Sequence, residues 1–247
     1  MPQIKSLKNS ILIIFFGAMA LVLLGSGKSG QKDKILVFTK TNGFVHQSIP
    51  AGKAALIKVG GEAGFQVDTT SDSNYFTPEN LKEYDAVIFL NTTGDVLNIP
   101  QQTAFEEYIR AGGGFVGIHS AADTEYEWPW YGKMVGGYFK SHPHIQKAEV
   151  HVVNQSHPST SHLPKIWERE DEWYNYKNLN AGIRVLATLD EQSYEGGENG
   201  NHHPIAWYHE YDGGRAFYTG GGHTDETYKE PLFLEHLIKG ILWAADK

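Results

Sequence analysis

The stretch Gly112-Gly113-Gly114-Phe115-Val116-Gly117-Ile118-His119-Ser120-Ala121-Ala122 decides the fold. Three glycines close a helical pattern, four residues then read as a buried strand, and the polar pair His119-Ser120 stands where strand gives way to turn. His119 is thereby delivered to the carboxyl edge of a sheet. In open α/β sheets ligands bind outside the carboxyl ends of parallel strands, so a histidine placed there meets substrate with rigid backbone behind it.

Upstream, the chain alternates strand and helix. Residues 35–38 form a short apolar run that ends in a polar loop reaching His46. A helix over 51–63 is stopped by Gly64. A second strand covers 65–69, and Thr77-Pro78-Glu79 opens a short helix with a capping residue, a proline and an acid in order. Residues 86–90 are near-continuously apolar, as buried parallel strands are. They end in Asn91-Thr92-Thr93-Gly94-Asp95, and a helix follows over 100–111. These alternations predict an α/β, doubly wound, mostly parallel sheet with flanking helices. Right-handed crossovers would bring the loops carrying His46, Asn91 to Asp95 and His119 to Asp123 to one edge.

Downstream the chain changes character. Residues 125–131 form a dense aromatic cluster, and 147–153 alternate as a strand with one wet side. Residues 167–176 mix acids with Trp and Tyr, and 185–189 read as another strand. Residues 204–211 and 215–219 read as strands joined by an Asp212-Gly213-Gly214 turn, which adds antiparallel strands to the sheet. The last helix, over 231–245, aligns Leu234, Leu237, Ile238, Ile241 and Leu242 on one stripe.

The N-terminus carries Lys5 and Lys8, an apolar run over 11–24, and a small polar stretch over 25–30. Residues 1–30 therefore read as a secretory signal and short linker, with one domain over 31–247. The fourteen-residue run is shorter than the about 18 apolar residues of a membrane span, so export to the periplasm or medium is expected rather than stable membrane insertion; an N-terminal anchor is the minor alternative. No cysteine is present, which excludes disulfides, thiol nucleophiles and thiolate ligands. Loss of residues 1–24 would remove two lysines and no acid, taking the formal charge from −8 to −10. That acidity argues against a nucleic-acid partner. Self-association into a homo-oligomer is left open.

Twelve histidines supply the candidate chemistry. His46, His119, His142, His203 and His223 stand near strand ends or in His-Pro turns, whereas His236, opposite the last helix's apolar stripe, reads as solvated. His144, His151, His157 and His162 read as ordinary loop or surface histidines. His119, His223 and Glu172 are the acid–base candidates, each such group contributing about 10²–10⁴-fold. Trp167, Trp173, Tyr174 and Tyr176 flank Asp171-Glu172 and would raise a carboxylate pKa on burying it. Trp128, Trp130 and Trp173 could stack on sugar faces. Asn42, His46, Asp123, His142, Trp173 and His203 are the substrate-binding candidates. A divalent metal such as zinc is the alternative use of His46, His119, His142 and His223. No short ligand motif is present, so such a site would be assembled from distant loops. The glycine runs lack the spacing of nucleotide-phosphate loops.

Six segments together resemble the ThuA-like (trehalose utilisation) family, a branch of the class I glutamine amidotransferase-like, flavodoxin-like fold. They are Thr41-Asn42-Gly43-Phe44-Val45-His46, the 112–122 stretch, Tyr138-Phe139-Lys140-Ser141-His142-Pro143, Asp171-Glu172-Trp173-Tyr174, His203-Pro204-Ile205-Ala206-Trp207, and residues 214–224 ending in Gly220-Gly221-Gly222-His223-Thr224. The wider fold places a nucleophilic cysteine at the turn after this strand; here His119 stands at that position, so thiol-based glutamine hydrolysis is ruled out. The resemblance implies a carbohydrate substrate, namely a disaccharide, glycoside or keto-sugar, handled by hydrolysis, elimination or isomerisation. A non-catalytic carbohydrate-binding module and a metal-dependent hydrolase of a non-sugar substrate are the competing readings.

Overall fold

Glycine spacing sets how the central strands are covered. A computed structural model describes residues 34–246; the expected signal stretch lies outside them. The chain runs through β1 (Lys34–Phe38), α1 (Ile49–Ala63), β2 (Gln66–Thr70), α2 (Pro78–Leu81), β3 (Ala86–Leu90), α3 (Ile99–Arg110) and β4 (Gly114–Ile118). It continues through α4 (Pro129–Val135), β5 (Tyr138–Ser141), β6 (Gln146–Val152), β7 (Ile166–Asp171), β8 (Asn175–Lys177), β9 (Arg184–Leu189), β10 (His203–Tyr211), β11 (Gly214–Thr219) and α5 (Pro231–Ala245). Gly114 faces α5, since a Cβ there would lie 2.4 Å from the Ala244 carbonyl oxygen. One residue on, Phe115 packs against Phe105 of α3 and Tyr131 of α4. The two-residue period of the strand thus gives each face its own helical cover.

A nine-stranded sheet has the order β2-β1-β3-β4-β11-β10-β9-β6-β7. The first five strands are parallel, and β10, β9, β6 and β7 continue antiparallel. The chain leaves β1 toward β2 and returns to β3 on its other side. A crevice therefore opens at the carboxyl ends of β1 and β3. β3 and β4 are buried throughout, as their apolar sequences require. The expected hairpin turn forms between β10 and β11, with Asp212 and Gly213 both at positive φ.

Three elements were not legible as strands. β5 and β8 form a separate two-stranded sheet beside the turn after β4. β7 escapes notice because charges stand on both of its faces: Ile166, Glu168 and Glu170 point outward, and Trp167, Arg169 and Asp171 inward. The stripe on α5 is also corrected. Phe233, His236, Leu237, Gly240 and Ile241 are buried, while Leu242 is exposed. Gly240 explains the rotation, because a Cβ there would meet the Phe217 ring at 2.4 Å and only glycine lets the helix approach so closely. His236 is consequently buried, not solvated, and its Nδ1 sits 2.8 Å from the Ser159 carbonyl. Among the described residues no helix is long and apolar enough to cross a membrane.

Candidate active site

At the carboxyl edge the loops after β1, β4 and β11 each deliver one imidazole. His46, His119 and His223 have ring centroids 5.0, 5.1 and 5.2 Å apart, with interplanar angles of 76–90°. Glu172, just after β7, completes the group: its Oε2 lies 3.1 Å from His223 Nδ1 and 3.4 Å from His119 Nε2. Its Oε1 lies 3.1 Å from His142 Nδ1. One potential ligand atom from each of His46, His119, Glu172 and His223 lies within 4.8 Å of all the others.

The supporting shell is specific. His119 opens a tight turn with φ of 49°, a left-handed conformation that side chains other than glycine rarely adopt. The Tyr218 hydroxyl donates to the His119 carbonyl at 2.7 Å and pins this turn. His119 Nδ1 faces the Gly220 carbonyl at 2.9 Å, so it carries the proton and Nε2 turns a lone pair toward the cluster. Ser120 Oγ lies 3.3 Å from His46 Nδ1. Asp171, fully buried, accepts from the Gly222 and His223 backbone amides at 2.9 and 3.1 Å and from the Thr227 hydroxyl at 2.9 Å. Asn91, also buried, donates through Nδ2 to Ser48 Oγ and the Gly222 carbonyl, both at 3.0 Å. The loop bearing His223 is thus held from two sides.

Electrostatics follow the geometry. Burial pushes His46 down to about 3, reinforced by His119 and His223, so His46 is neutral and keeps a lone pair. Burial alone would raise Glu172, as its aromatic neighbours suggested. The imidazoles of His119 and His223 beside its Oε2 outweigh it and hold the carboxyl well below the usual range. His223 moves the opposite way: burial lowers it, but Glu172 lifts it above an ordinary histidine. Asp123 is raised, because burial outweighs the hydrogen bond its carboxylate accepts from Tyr126 at 2.6 Å.

Three imidazoles and one carboxylate, with one imidazole's far nitrogen fixed by a carbonyl, are the donor set and outer support of a zinc-type site. His142 is not in this set; Glu172 takes the place expected for it. A cavity of about 320 Å³ opens over the cluster, lined by His46, Asp123, His142, Glu172, Tyr174 and His223, with Phe44 and Phe139 at its sides.

Three expected substrate contacts are corrected. Trp173 is wholly buried, its indole donating to the Gln146 carbonyl at 2.8 Å. His203 is wholly buried between Glu191, Tyr194 and the Tyr174 carbonyl, which leaves neither ring nitrogen for a ligand. Asn42 bonds through its side chain to the Asp95 carbonyl and does not line the cavity. Trp128 and Trp130 stack on each other and bond Glu106 and Asp212, so they belong to the packing around α3 and α4. Asp171 and Tyr174 were missed as functional residues. Asp171 shares inward parity with Trp167 and Arg169, a signal visible once β7 is recognised.

The profile of the ThuA family, described as trehalose utilisation, matches residues 34–244. The chain belongs to the ThuA family. A solved structure described as a ThuA-like protein from Bacteroides uniformis is 29% identical, with a TM-score of 0.74 over 86% of this chain and 91% of that one. A ThuA-like protein from Parabacteroides merdae gives 21% identity and a TM-score of 0.75 over 87% and 91%. A structure described as a cytoplasmic protein from Salmonella typhimurium shares the fold at 13% identity, with a TM-score of 0.62 over 88% and 100%. Comparison with curated proteins gives no match. His119 in this ThuA chain stands in the strained turn after the central strand where sequence reasoning expected it.

Proposed function

We propose that this ThuA-family chain is an exported enzyme that acts on a disaccharide, glycoside or keto-sugar at a divalent-metal centre held by His46, His119, His223 and Glu172. The observation that carries the reading is the convergence of three mutually perpendicular imidazoles and a buried carboxylate at the mouth of a cavity. Bound by these four residues, a divalent cation would supply Lewis acidity toward a sugar oxygen. The chain's own residues supply the rest. His119 and His223 hold their ligand geometry through Gly220 and Asp171. Asp123, on the cavity wall with a raised pKa, exchanges a proton with the sugar, and His142 positions a hydroxyl beside Glu172. Tyr174, Phe139 and Phe44 present apolar surface to the sugar's C–H face and exclude water.

The test is metal analysis of the purified chain followed by turnover of a keto-glycoside panel before and after chelation. About one zinc-type ion per chain is expected, with activity lost on chelation and restored on reloading. Glu172→Gln and His119→Ala should each cost at least about 10²-fold in kcat/KM, on the scale of one lost catalytic group. Parent-like turnover by both variants would sink the proposal.

A further inference from the structure

A second cavity, about 550 Å³, adjoins the first, and Phe44 and His223 line both. Phe44 stands edge-on to His46, with centroids 4.9 Å apart at 82°, so its ring forms the partition between the metal-competent cluster and this neighbouring space. The second cavity falls within the size range of small-molecule sites. Its lining is mixed in a particular way. Phe44 and Val45 are each 63% exposed and Ile145 is 42% exposed, an uncommon concentration of open apolar side chains. Gln47, Asp225 and Glu226 stand among them, and no Lys or Arg lines the space.

Each feature narrows the ligand. Asp225 and Glu226 both line the space, and Lys229 pairs with Glu226 at 3.3 Å from outside the lining, so the net acidic lining disfavours a phosphate or carboxylate group. Apolar side chains beside charged hydrogen-bond acceptors match a neutral polyhydroxylated ring, which has an apolar C–H face and donor hydroxyls at its rim. Continuity with the first cavity makes the occupant part of the same molecule that reaches the cluster.

We infer that this second cavity is the subsite for the second ring of a disaccharide, so that the bond between the two rings lies beside Phe44 and His223. The inference rests on the carbohydrate reading above. It adds that the substrate spans two subsites and that selection for a disaccharide over a monosaccharide resides in Ile145, Asp225 and Glu226, outside the metal-binding set.

Calorimetry on the metal-loaded full chain tests it, with trehalose and glucose, each also in its keto form, as probes. The parent should bind the disaccharide at least about tenfold more tightly than the monosaccharide, the worth of one hydrogen bond to a charged group. The double variant Asp225→Ala, Glu226→Ala should lose about that factor for the disaccharide while its Kd for the monosaccharide moves less than about twofold. Ile145→Ser should act in the same direction. Unchanged metal content in the variants shows that the neighbouring centre is intact. Equal affinity of the parent for both sugars, or equal weakening of both in the variants, overturns the subsite alone. A parent that binds neither sugar overturns the proposed function and the subsite with it.

Discussion

Glu172 keeps its charge in a buried place because two imidazoles face it, whereas His236 stays neutral because no carboxylate does the same for it. The contrast has a measurable consequence. Burial holds the folded pKa of His236 near 3 and that of His157 near 4, both below the ordinary 6.5. The unfolded chain therefore binds protons first as pH falls. The contribution of these residues to stability is full above pH 6.5 and is lost progressively as pH falls toward their folded values. Urea unfolding of the chelated chain should show stability falling between about pH 6.5 and 4.5. His236→Gln should flatten that fall while lowering stability at neutral pH by about 1–2 kcal/mol. An unchanged slope in the variant would remove His236 from the account. The sequence reading of His236 as solvated failed because a helical stripe counts apolar side chains and is blind to the close approach that Gly240 permits.

Among the elements, β7 shows what sequence pattern could and could not supply. The alternation from β1 to β4 was legible because buried parallel strands are apolar throughout and their glycines punctuate them. That alone placed His46 and His119 at one edge. The antiparallel half was less legible, since inward Arg169 and Asp171 break the apolar period. Yet β7 ends in the residue that holds the β11 loop in place, through the Gly222 and His223 amides. Asp171→Asn keeps the size but removes the charge from those bonds and turns one acceptor into a donor. Zinc affinity, read by chelator competition, should fall by about 10–100-fold, as for other outer-shell partners, with the chain still folded. Affinity equal to the parent's would show that the loop is held without Asp171. The sequence grouped Glu172 with His119 and His223 as acid–base residues but set His142, not Glu172, among the metal candidates, because no spacing rule relates residues 46, 119, 172 and 223, which only the sheet order brings together.

For the whole molecule, the charge balance and the N-terminus make the prediction. A chain with formal charge −8 and Lys5 and Lys8 before an apolar run over residues 11–24 is expected to be exported and trimmed. Intact-mass measurement of material from the periplasm or medium should find a new N-terminus among residues 25–31. An intact Met1 recovered with membranes would favour an anchor. The described domain also bears on association between copies. β7 is an edge strand whose outward side carries Glu168 and Glu170, with Arg169 turned inward. Charges placed this way on an edge are a known defence against sheet-to-sheet pairing. A second copy adding its own β7 would set carboxylates of like sign across from one another, which is unfavourable. A homo-oligomer would then not be built through β7, and the protein should resist runaway growth into fibres through this edge even when it is crowded.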